Sequence, residues 1–114
     1  MIKRVSLVRR KPGMTSEDFV SHWAGPHVEI VRQLPGVLGL RLGVVEQWSP
    51  PGQAWDGVGE IWFESVAAAE RAFATEPWAS LLVEDRKLFL GEAQACFVSE
   101  RTIVPPPAGQ AETR

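Results

Sequence analysis

A chain of 114 residues has room for one domain and can bury a core without disulfides or a structural metal. Its 12 basic and 14 acidic side chains give a net charge of −2, which excludes a strong electrostatic drive toward nucleic acid or an anionic membrane. The lone cysteine, Cys96, excludes an internal disulfide and a cysteine-built metal site, and is expected as a small buried hydrophobe.

Residues 2–9 alternate as a β-strand, with Val5 and Leu7 on one face and Val8 on the other. No segment approaches the ~18 apolar residues of a membrane span. The short apolar stretch after Lys3-Arg4 runs into Arg9-Arg10-Lys11, so no signal peptide is expected and the compartment is taken as the cytoplasm. Pro12-Gly13 turns the chain, and Thr15 caps a helix running to about Gln33, which Leu34-Pro35-Gly36 ends. Residues 37–48 form a second strand, with Leu38, Leu40, Leu42 and Val44 on one face. After a proline-rich loop, residues 58–63 form a third strand; Ile61 and Phe63 face one way, Glu60 and Trp62 the other. Ser65 caps a short helix to about Ala74, and a second helical stretch restarts after Thr75-Glu76-Pro77, with Trp78, Leu81, Leu82 and Asp85 at helical spacing. Residues 93–104 are the last strand. Residues 1–104 make the domain, and the proline-containing tail, 105–114, is expected to be disordered.

The order is βαββαβ, the ferredoxin-like α+β arrangement, a four-stranded antiparallel sheet with two helices on one face. The strands are apolar on both faces, and helices cover only one. The other requires a partner, most simply the same face of a second copy, so a homodimer is expected.

Along the first helix Phe19, Trp23, His27, Ile30/Val31 and Leu34 recur as one inward stripe. Pro26 lacks the N–H that would bond the carbonyl of His22, and its ring pushes that carbonyl away. The helix therefore loosens just before the inward His27, and the opened space would be lined by it. A lone inward histidine is either a core residue bonded to a carbonyl or a functional group. Glu60, Asp85 or a backbone carbonyl could orient it. His22 falls one residue off the stripe and is placed at the rim. Trp23 would be a flat apolar wall. Glu60 beside Trp62 is either a pocket wall, a dimer-interface pair or an exposed strand residue. Two histidines five apart, with no acidic residue placed as a third ligand, make a poor metal site. There is no glycine-rich phosphate loop and no Gly-x-Ser-x-Gly elbow.

The segment Arg9-Arg10-Lys11-Pro12-Gly13-Met14-Thr15, then Phe19, then His22-Trp23-Ala24-Gly25-Pro26-His27, resembles the EthD family of the dimeric α+β barrel superfamily. Leu34-Pro35-Gly36 and Asp56-Gly57-Val58-Gly59-Glu60-Ile61-Trp62-Phe63-Glu64-Ser65 are similar to its other signatures. The resemblance implies a homodimer whose two sheets close into a barrel, with a pocket between helices and sheet in each subunit. It carries the family's inward histidine onto His27 and its helix tryptophan onto Trp23. The tyrosines that assist the histidine in some relatives have no counterpart, since the chain has no Tyr.

The function expected is cofactor-independent acid/base catalysis on a small, mostly apolar carbonyl or lactone compound, of isomerase, cyclase, dehydratase or decarboxylase type. His27 would be the catalytic residue, and Trp23, Trp62, Glu60 and His22 would bind the substrate. No metal and no organic cofactor is expected. The alternatives are a non-enzymatic small-molecule binder or accessory protein of a degradation operon, and a haem-handling relative of the superfamily.

Overall fold

The computed structural model describes residues 1–52 and 54–111. Its elements are β1 Ile2–Arg10, α1 Ser16–His22, a π-helical turn Trp23–His27, α2 Val28–Val31, β2 Gly39–Val44, β3 Gly57–Phe63, α3 Val66–Phe73, α4 Trp78–Phe89, β4 Leu90–Val98 and α5 Ala108–Ala111. The four strands form one antiparallel sheet in the order β2-β3-β1-β4, which is the ferredoxin-like α+β topology. No helix among the described residues is long and apolar enough to cross a membrane.

The local signals behave as their chemistry dictates. Thr15 Oγ1 accepts from the Asp18 amide at 3.1 Å, and Ser65 Oγ from the Ala68 amide at 3.0 Å, each satisfying a helix-start donor. Gly13 and Gly36 both hold φ near +85°, the left-handed conformation that glycine adopts without Cβ strain, at the turns before α1 and after α2. Three extents differ from the expectation. The second strand is shorter, Gly39–Val44. The last helix runs on to Phe89. The last strand starts directly after it at Leu90 and ends at Val98, so residues 99–104 lie outside the sheet. In the tail, Ala108–Ala111 make one helical turn, and residues 112–114 lie outside the described residues.

The core lies between the sheet and the helices. Val31, Leu34, Ile61, Phe63, Ala69, Ala72 and Leu82 form one buried cluster; Val8, Phe19, Trp23 and Phe89 form a second, around the π turn. Every second residue of β3 is buried under the helices, Gly57, Gly59, Ile61 and Phe63. The opposite face carries Lys3, Val5 and Leu7 of β1, paired in register with Val98, Cys96 and Gln94 of β4 on one side and with Trp62, Glu60 and Val58 of β3 on the other. Cys96 is therefore not a buried hydrophobe. It sits on the helix-free side of an edge strand and is exposed.

Candidate functional site

The site begins at the π turn. The gap left by the missing Pro26 N–H is absorbed by an i→i+5 winding over Trp23–His27, with Pro26 inside it. Residues five apart on an α-helix stand about 140° apart around the axis. The wider winding brings His22 and His27 to the same side. Both imidazoles meet Asp85 of α4: His22 Nε2 lies 2.8 Å from Oδ1 and His27 Nδ1 lies 2.9 Å from Oδ2. Among the described residues Asp85 is the only charged one in the core, with a relative exposure of 8%. Both rings also lie against Phe89, centroids 4.8 Å away for His22 and 4.9 Å for His27, and Phe89 packs in turn on Phe19.

The bonding fixes the tautomer of His27. A carboxylate only accepts, so Nδ1 carries the proton and Nε2 of the neutral ring holds a lone pair. Among the described residues Nε2 has no hydrogen-bond partner, and it is not sealed from solvent. Burial pushes the imidazole below the ordinary histidine value of 6.5, and the Arg86 and His22 charges add to this. The hydrogen bond and charge of Asp85 pull the other way without cancelling burial. A neutral, oriented imidazole is the result.

His27 borders a cavity of about 350 Å³ between the helices and the sheet. That volume suits a small ligand. Trp23, Val31, Leu42, Ile61, Phe73 and Leu82 supply apolar wall, and Arg4, Ser6 and Arg86 supply polar groups. Trp23 is held by two glycines of β3. A Cβ on Gly57 would come within 2.3 Å of its ring and one on Gly59 within 3.6 Å. The Gly57-Val58-Gly59 repeat is thus a groove for the indole.

The structure brings together part of the set expected from sequence. His27 and Trp23 are at the cavity. His22 does not line it; it holds Asp85 from the far side, where a rim position was expected. The expectation that Glu60 and Trp62 bind substrate is corrected for this cavity. The period of two in β3 points both to the helix-free face, where Glu60 pairs with Lys3 and the Trp62 Nε1–H donates to Glu100 at 3.3 Å. Asp85, one of three candidate orienters, is the one engaged. Arg4 and Arg86 were missed; their signal was a charged residue on the buried-side register of β1 and a charge directly after Asp85.

The family model of the EthD domain matches residues 11–93. The chain belongs to the EthD family. It is 26% identical over 102 residues to an uncharacterized 11.0 kDa protein in the thcB–thcC intergenic region of Rhodococcus erythropolis, covering 90% of this chain and 98% of the relative. The crystal structure of an EthD family protein from Bacillus halodurans matches with a TM-score of 0.73 at 17% identity, over 89% of this chain and 99% of that one. Hydroxynitrile lyase from Passiflora edulis matches with a TM-score of 0.69 at 13% identity, over 91% of this chain and 96% of that one. At these identities the two structures share the fold.

Proposed function

We propose that the protein is a cofactor-independent acid/base catalyst acting on a small, mostly apolar carbonyl or lactone compound, and that it works as a homodimer. One observation carries the reading: His27 is bound through Nδ1 to the buried Asp85 at 2.9 Å, which leaves Nε2 as a free base at an apolar-walled cavity. Nε2 takes a proton from a carbon beside the carbonyl, the imidazolium is stabilised by Asp85, and the same nitrogen returns the proton elsewhere. Such help is worth about 10²–10⁴-fold. Phe89 and Trp23 keep the ring in apolar surroundings, which holds it neutral before the step. The fold it has in common with a hydroxynitrile lyase is compatible with a histidine-based lyase or isomerase. The homodimer rests on the apolar helix-free face, where Val5, Leu7 and Val58 are only half-covered in the single chain.

The test is deuterium exchange of the α-protons of 2-indanone in D₂O, followed by proton NMR. The protein should accelerate it, and His27→Ala should lose about 10²-fold or more of the acceleration. Equal exchange by both proteins, or none above buffer, would refute catalysis. Retention of a co-purified metabolite by the wild type in native mass spectrometry would then favour a binding protein.

A further inference from the structure

Arg4 lies at the centre of the sheet on β1, opposite Ile61 on one side and Phe97 on the other, on the face turned to the helices. That register position is otherwise apolar core. Its guanidinium carbon lies over the Phe73 ring, 4.8 Å from the centroid, a cation–π contact that leaves its hydrogen-bonding capacity for another partner. Arg86 reaches the same cavity from α4, one residue past Asp85. The two cations are close enough to repel: burial and the Arg86 charge both draw Arg4 below its ordinary value. Among the described residues neither has a carboxylate within ion-pair distance, although Arg9, Arg10 and Lys3 on the same strand all do. Glu70 borders an adjoining cavity of about 300 Å³, walled by both arginines, without pairing with either. Ser6, two residues along β1 from Arg4, adds a hydroxyl to the same wall. Two half-buried cations facing one space without an anion cost free energy that a bound anion would recover.

We propose that Arg4 and Arg86 form an anion subsite of the His27 cavity, and that the natural ligand is an organic acid whose carboxylate sits there. This rests on reading the cavity as a ligand pocket. The carboxylate anchors the molecule between the two guanidinium edges. Its apolar body lies along Trp23, Leu42 and Ile61. An enolisable carbon is thereby brought toward His27, an orientation added to what the apolar wall alone gives a neutral ketone.

The experiment is isothermal titration at neutral pH with 3-phenylpropanoate and its isosteric amide, 3-phenylpropanamide. The acid should bind the wild type at least roughly ten-fold more tightly than the amide. Raised salt should weaken the acid alone. Arg86→Gln and Arg4→Gln should each remove most of that preference, lowering acid affinity far more than amide affinity. Arg86→Lys, which keeps the charge without the fork, should retain part of it. Arg86 is half-exposed on a helix, so its variants keep the test open if Arg4→Gln fails to fold. Equal binding of acid and amide, or acid binding indifferent to both arginines, would overturn the subsite and leave the pocket reading standing. Binding of neither compound would overturn both.

Discussion

Asp85→Asn is the most informative single change. The carboxylate accepts from two imidazoles, at 2.8 and 2.9 Å, inside the core. An amide presents one acceptor oxygen and one NH₂ donor, so only one histidine keeps its partner in the same tautomer. One hydrogen bond to a charged group is lost, a loss of about 1.5–3 kcal/mol. Removal of the buried charge offsets part of this. For a domain of this length each kcal/mol moves the thermal midpoint by about 3–6 °C, so the fall should be roughly 5–15 °C. The His27 pKa should fall further below the ordinary 6.5, because Asp85 is the influence that holds it up against burial. Proton exchange on 2-indanone should drop about 10²–10⁴-fold, since the base loses both its orientation and the counter-charge for its imidazolium. The assays are a thermal melt, an NMR titration of the His27 ring and the exchange rate itself. Full exchange activity with an unmoved His27 titration would refute the role given to Asp85.

Three further outcomes are expected. In the wild type, His27 should titrate below 6.5 by NMR, and its share of stability should be full above about pH 6.5 and lost as pH falls toward the folded pKa, because there the unfolded chain binds more protons. The pH dependence of melting should show that loss, and His27→Ala should flatten it. Gly57→Ala should destabilise by about 1–3 kcal/mol in denaturant titration, because its Cβ would meet the Trp23 ring at 2.3 Å and Val8 at 3.2 Å. Val58→Asp, on the helix-free face, should reduce a dimeric mass to a monomeric one in light scattering; a wild type that is itself monomeric at micromolar concentration would contradict the homodimer.

What the sequence disclosed depended on period. The helical stripe Phe19–Trp23–His27–Val31 survives because the extra π residue is inserted inside it, and all four still meet the core or the cavity. The same extra residue misplaced His22, which a strict 3.6-residue winding sets off the stripe. Pro26 announced a loosened helix but not which way the slack would be taken up. The alternation of β3 separated Ile61 and Phe63 from Glu60 and Trp62 correctly, yet only the packed helices decide which face is inside. Asp85 and Arg86 acquire their roles by tertiary packing alone: α4 crosses beneath the π turn and sets adjacent side chains to different tasks. Nothing in local spacing shows that Arg4, on a strand some eighty positions earlier, ends beside Arg86. The exposure of Cys96 follows from its strand lying at the sheet edge, which the order of elements alone does not reveal.

The base character of His27 can be read directly from long-range ¹⁵N correlation NMR of the histidine rings at neutral pH. A neutral ring with the proton on Nδ1 and an unprotonated Nε2 is expected, converting to the opposite tautomer or a mixture in Asp85→Asn. An imidazolium at neutral pH, or a neutral ring with its proton on Nε2, would contradict a free base at the cavity.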